Sequence, residues 1–141
     1  MEIAINYWAV LGASVAAFVI GGLWYGPVFG KQWMGMMGFS HEGMKTMQLS
    51  PMAAMGVMFI LGLLLNYVLA HVAVFAFAYL GTSGISGGLS TGFWMWLGFA
   101  VPFTAGHFLW ENKSWKLWAF NASYYLVTFL LAGAILGAFP A

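Results

Sequence analysis

Apolar residues fall into four long runs along this chain, at about 5–25, 52–80, 89–108 and 115–139, separated by turn-forming or charged residues. Each run reaches or exceeds the roughly 20 residues that a helix needs to cross a bilayer. The pattern predicts an all-α fold, a polytopic membrane helix bundle of four transmembrane helices forming one domain over residues 1–141.

The breaks between runs set the element ends. Gly26-Pro27 closes the first run, because proline has no amide donor and disfavours helical geometry in the residue before it. Phe29, Trp33, Met36 and Met37 then share one face at i, i+4, i+7 and i+8, with Lys31 and Gln32 off it. That spacing predicts a short interfacial helix lying among the headgroups. The stretch from Phe39 to Ser50 carries His41, Glu42, Lys45 and Gln48 and reads as an aqueous loop. Ser50-Pro51 supplies an N-cap and a first-turn proline for the second helix, which is long enough to require tilt or protrusion. The uncharged residues Gly81–Gly88 read as a turn, and Pro102 is expected to kink the third helix by freeing the carbonyl of Gly98.

Small residues mark helix-packing faces. Ala9, Ala13, Ala17 and Gly21 recur every four residues on the first helix, and Gly133 and Gly137 do so on the fourth. Such ridges let backbones approach where lipid removes the hydrophobic drive between helices.

Composition fixes the solvent. The chain is 63% hydrophobic and 5% charged, with no Arg or Asp, whereas soluble domains carry about 25% charged residues. The start MEIAINYW lacks the positive region of a signal peptide, so the first run reads as a retained helix. A net charge of +1 with scattered lysines makes no nucleic-acid surface, and the absence of Cys removes disulfides, thiolate nucleophiles and thiolate metal sites.

The four lysines, Lys31, Lys45, Lys113 and Lys116, fall in the 1–2 and 3–4 connections, which four crossings place on one side. The other side offers Glu2, the amino terminus and an uncharged turn. The positive-inside tendency then puts both lysine-bearing loops in the cytoplasm and both termini outside. Trp24, Tyr25, Trp33 and Trp115, with Lys31 and Lys116, read as interfacial anchors.

Polar side chains at membrane depth are candidates for function. Thr104, His107 and Glu111 share a spacing on the third helix, as do Asn121, Tyr125 and Thr128 on the fourth. Two such stripes beside one short loop are expected to face each other, either as a polar vestibule for a proton or small solute or as interhelical hydrogen bonds. The second reading is favoured. Asn66, Tyr67 and His71 lie within the second helix, where a Tyr67–His71 hydrogen bond is expected. At 1.5 Å per residue, His71 lies about 28 Å along its helix and far in depth from His107, so no shared haem or metal is expected. No catalytic set, metal site or cofactor is expected. The ten methionines, several of them around the interfacial loop, read as packing and insertion residues.

Two stretches, GGLWYGPVFGKQWM at Gly21–Met34 and ENKSWKLWAFNASYYLV at Glu111–Val127, resemble the signatures of an uncharacterised bacterial family, domain-of-unknown-function family 1761. Gly26 stands where that family pattern has Ser, and Asn112-Lys113 where Gly-Arg is common. The resemblance covers essentially the whole chain. It implies a small four-helix protein of the bacterial inner membrane, with no assigned activity and no catalytic residues to carry over. The expectation is a non-catalytic packing module in the lipid bilayer, either a homo-oligomer or an accessory subunit of a larger membrane complex. The alternative is a small channel or carrier using the polar faces of the third and fourth helices.

Overall fold

A computed structural model describes residues 3–141, so Glu2 and the amino terminus lie outside the described residues. Among those residues the chain is helical and contains no strand. The elements are α1 (Tyr7–Leu23), a π-helical turn (Trp24–Val28), α2 (Gly30–Met37), α3 (His41–Met44) and α4 (Pro51–Leu80). They continue with α5 (Gly84–Met95), a second π-helical turn (Trp96–Ala100), α6 (Val101–Trp110) and α7 (Trp115–Ala138).

The caps explain the boundaries. Asn6 Oδ1 accepts from the amides of Trp8 and Ala9, Ser50 Oγ from that of Ala53, and Ser114 Oγ from that of Leu117. Each satisfies an amide that the first helical turn leaves without a partner. Gly81 ends α4 in the left-handed region at φ 65°, a conformation that glycine adopts without strain.

Three helices are long and apolar enough to cross a membrane: Tyr7–Val28, Pro51–Leu80 and Trp115–Ala138, at mean hydropathies of 1.7, 2.2 and 1.6. The third apolar run differs from its expected form. It is divided by the π-helical turn at Trp96–Ala100, just before Pro102, so the anticipated distortion takes the form of a widened turn that relieves the proline's missing hydrogen bond. It also starts earlier. Gly84–Gly88 form the first turn of α5, and only Gly81–Ser83 remain as the connection. The run of glycine, serine and threonine looked like a turn because Ile85 is its only large apolar side chain, but a helix that packs by its backbone needs few.

Neighbouring elements run antiparallel. Phe18 meets Phe59 at 5.5 Å between ring centroids and Tyr7 meets Tyr67 at 6.3 Å, which pairs α1 with α4. Gly84, Gly88 and Gly92 of α5 oppose Gly137, Gly133 and Phe129 of α7. The core joins Ala9, Val10 and Ala13 of α1 to Leu69 and Ala70 of α4 and to Ala132 and Leu136 of α7. Asn6 Nδ2 donates to the carbonyl of Phe139 at 3.1 Å, which holds the start of α1 beside the end of α7. The start of α1 and the end of α7 therefore lie at one end of the bundle. All four lysines lie in or beside the connections at the other end, here called the lysine end.

Helices α4 and α6 do not pack along each other. A cleft of about 300 Å³ opens between α4, the second π-helical turn and α7.

Candidate functional site

The densest assembly of polar and aromatic groups sits at the lysine end, where α1 meets α7. Its cause is local to LWYGP. Gly26 takes φ −111° and ψ −111°, outside helical geometry, and Pro27 offers no amide. The amide of Phe29 reaches back to the carbonyl of Trp24 at 3.1 Å, so the helix widens instead of stopping. The widened turn carries Trp24, Tyr25 and Phe29 against one side of α7. Trp24 packs on Phe29, Phe120 and Tyr124 at centroid distances of 4.8, 5.7 and 6.2 Å. Tyr25 packs edge-on against Trp33, Phe120 and Tyr124 at 5.4, 5.6 and 5.0 Å. The Tyr25 hydroxyl donates to Asn121 Oδ1 at 2.7 Å, the one side-chain hydrogen bond between α1's end and α7 among the described residues.

Gly21 belongs to this site as well. A Cβ there would stand 2.8 Å from the Tyr124 hydroxyl, so the small residue admits that ring rather than a neighbouring backbone. Trp24 Nε1 is buried with no hydrogen-bond partner, leaving an indole N–H inside the cluster. An unpaired donor of this kind costs about 1–3 kcal/mol in a protein interior.

A second polar contact lies deeper, between α1 and α4. Asn66 is 1% exposed, its Nδ2 donates to Ser14 Oγ at 3.0 Å, and Ser14 Oγ donates to the carbonyl of Val10 at 2.8 Å. Asn66 Oδ1 is buried without a partner. Sequence reasoning found Asn66 and missed Ser14, although Ser14 adjoins Ala13 on the packing face.

The polar residues expected to face each other across the third and fourth helices are distributed differently. His107 Nδ1 and Glu111 Oε1 lie 2.9 Å apart on the same helix, but their side chains are 79% and 54% exposed and point away from the bundle. Thr104 Oγ1 donates to the carbonyl of Ala100 and accepts from Trp118 Nε1 at 3.2 Å. Asn121 is turned to α1, as above. Tyr125 stacks beside Tyr124 at 5.2 Å, and the buried Thr128 hydroxyl donates to the carbonyl of Tyr125 in its own helix. Indole rings occupy the seam between these helices: besides Trp118, Trp96 Nε1 donates to the carbonyl of Ala122 at 2.9 Å.

The remaining candidates are placed as follows. His71 Nδ1 lies 2.9 Å from the carbonyl of Tyr67, not its hydroxyl, and the two rings meet edge-on at 4.5 Å. Trp115 is exposed and lies over Phe108 at 4.0 Å, while Lys31 and Lys116 are exposed. Ala9 and Ala13 are buried, and Ala17 and Gly21 are half-buried. Gly133 and Gly137 sit against the backbone carbonyls of Gly88 and Gly84. Sequence reasoning missed Gly84, Gly88 and Gly92 as their partners, and also Phe120 and Tyr124. The four-residue spacing of the three glycines was the available signal. Among the described residues no three His or Glu side chains converge, so the groups offered to a ligand are hydroxyl, amide and indole.

The two stretches that carried the family resemblance thus meet in space: Trp24, Tyr25 and Trp33 come from one, Phe120, Asn121 and Tyr124 from the other. A family described as "Protein of unknown function (DUF1761)" matches residues 8–137. No curated protein and no solved structure matches the chain.

Proposed function

The chain belongs to the DUF1761 family, and from that premise we propose that it crosses a membrane four times and acts as a non-catalytic packing module. In this reading it is a homo-oligomer or an accessory subunit of a larger membrane complex. Beyond the three long apolar helices, the remaining crossing, third in chain order, is the run Gly84–Trp110, whose 12, 5 and 10 residues continue through the π-helical turn. They rise roughly 40 Å in all, more than the hydrocarbon thickness of about 30 Å. An even number of crossings agrees with the start of α1 lying beside the end of α7. By the positive-inside tendency the lysine end is cytoplasmic, in a bacterial inner membrane, with α2 lying at its surface.

One observation carries the packing role. The chain exposes 9178 Å², against about 7200 Å² for a compact folded monomer of 15.4 kDa. Much of the exposed surface is large and apolar, as at Met58, Ile60, Leu64 and Phe103, which are 55%, 65%, 59% and 73% exposed. Meanwhile the polar groups inside the bundle turn to each other, as Ser14 does to Asn66 and Tyr25 to Asn121. The outer faces offer packing surface, and the inner polar groups are committed to holding the helices.

Native mass spectrometry of the protein extracted from its membrane tests this. The expected result is a multiple of the chain mass or a co-purifying subunit. A lone chain that moves protons, halides or small cations across liposomes would replace the packing role with transport. Cysteines placed at Lys45 and Lys113 should be labelled from the same side of intact cells, and labelling from opposite sides would remove the four-crossing threading.

A further inference from the structure

His71 sits in α4 with one ring nitrogen left over. Its Nδ1 lies 2.9 Å from the carbonyl oxygen of Tyr67, which can only accept, so Nδ1 carries the hydrogen. In the neutral ring Nε2 is then an acceptor, and it has no partner among the described residues. Two phenol rings accompany it. Tyr67 meets the imidazole edge-on at 4.5 Å, and Tyr7 lies 6.3 Å from Tyr67 with the two phenol rings within 15° of parallel. Tyr7 and Tyr67 are 67% and 39% exposed, so the group faces outward from the bundle. Its depth follows from α1. Tyr7 adjoins Asn6, which bonds to Phe139 past the end of α7, so the group lies toward the end of the bundle away from the lysines. Helix α4 rises roughly 45 Å over its 30 residues and outlasts a hydrocarbon layer of about 30 Å. His71, beside the start of α1, therefore falls near headgroup level although α4 runs on to Leu80.

We propose that Tyr7, Tyr67 and His71 form a site for the primary ammonium headgroup of phosphatidylethanolamine, in the leaflet at that end. The inference rests on the membrane-spanning reading above. Each part of the group selects the same chemistry. Nε2 needs a donor, and an ammonium N–H supplies one. An aromatic face attracts a cation within about 6 Å of its centroid, a reach that covers the 4.5 Å between Tyr67 and the imidazole. All four lysines lie at the other end, so none opposes a cation here. Other headgroups meet only part of this. A quaternary ammonium satisfies the rings but has no hydrogen for Nε2. A glycerol headgroup has the hydrogen but no cation, and its phosphate gives Nε2 nothing to accept. The headgroup layer also delivers the ammonium at the depth of the group, which makes the lipid rather than a dissolved amine the occupant.

Membranes holding the full chain are first washed at alkaline pH; release of the chain would sink the membrane reading itself. The retained protein is purified in detergent and titrated with phosphatidylethanolamine, phosphatidylcholine and phosphatidylglycerol, with bound lipid counted by native mass spectrometry. Phosphatidylethanolamine should bind about fivefold or more tighter than either of the others, the worth of one hydrogen bond. His71→Phe keeps a ring against Tyr67 and removes the acceptor, so phosphatidylethanolamine should fall to the affinity of phosphatidylcholine. Tyr7→Leu should weaken both of these lipids and leave phosphatidylglycerol unchanged, and Glu2→Gln should change none of the three. Helical circular dichroism confirms that each variant folds. Equal binding of the three lipids by the parent would overturn the proposal, because water then suffices for Nε2. So would a preference that survives His71→Phe or is lost in Glu2→Gln, or a parent preference for phosphatidylglycerol. Free ethanolamine bound as tightly as the lipid would make the occupant a solute, and a dimer that His71→Phe dissociates would make it a second copy; either result overturns the assignment.

Discussion

Helix α7 is packed in two opposite ways along its length. Toward the chain ends it meets α5 through glycine: Gly133 and Gly137 lie so close to Gly88 and Gly84 that added methyl groups would strike backbone carbonyls. Toward the lysine end it meets α1 through rings, with Phe120 and Tyr124 set among Trp24, Tyr25 and Phe29. The glycine seam gains dispersion contact by removing side chains, and the aromatic seam gains it by adding the largest ones. Both can hold helices together in hydrocarbon, where exclusion of water does not press them together and contact quality decides association. The difference is in tolerance. Backbone cannot move aside, whereas rings can shift or be trimmed.

The largest effect should come from the glycine seam. Gly88→Ala places its methyl on the carbonyl of Gly133, so the helices must separate, and thermal unfolding in detergent should show a loss of about 3 kcal/mol or more. A loss below about 1 kcal/mol would mean that the seam is looser than its geometry. Phe120→Ala removes ring contacts to Trp24, Tyr25 and Phe29, each worth about 0.5–1.5 kcal/mol, and should cost about 2 kcal/mol. Equal losses in the two variants would erase the contrast between the seams. Tyr25→Phe keeps the ring and removes only the bond to Asn121, with an expected cost of about 0.6–1 kcal/mol. If it matched Phe120→Ala, the hydrogen bond rather than the rings would hold that end. Gly12→Ala is the control, since nothing stands within 4 Å of a Cβ there. It should gain stability by up to about 0.5 kcal/mol through helix propensity, which would separate collision from glycine replacement as such.

The two seams were unequally legible. Gly133-xxx-Gly137 was visible as a close-approach face, but its partner was hidden inside a run of Gly, Ser and Thr that resembles a turn. Nothing local distinguishes a glycine that bends the chain from one that admits a neighbouring helix; the difference is the helix on the other side. The aromatic seam was read as a belt of separate anchors, because Trp, Tyr and Lys near a helix end have that meaning in most membrane chains. Here Trp24, Tyr25 and Trp33 turn inward, since the π-helical turn at Gly26-Pro27 rotates them onto α7.

The stripe of Thr104, His107 and Glu111 taught a related lesson. Its spacing suggested one polar face, but Thr104 meets Trp118 while His107 and Glu111 are exposed, because spacing does not set the rotation of one helix about another. Trp96 and Trp118 set it here, by bonding across the seam and filling it.

Hydrophobic runs, caps at Asn6, Ser50 and Ser114, and the confinement of the lysines to two connections were all written in the order of residues, because each depends on near neighbours or on the solvent around the chain. The pairings of Ser14 with Asn66, Tyr25 with Asn121 and Gly88 with Gly133 belong to the folded bundle alone. They join positions far apart in the chain, and they exist only once helix register and rotation have been fixed by packing.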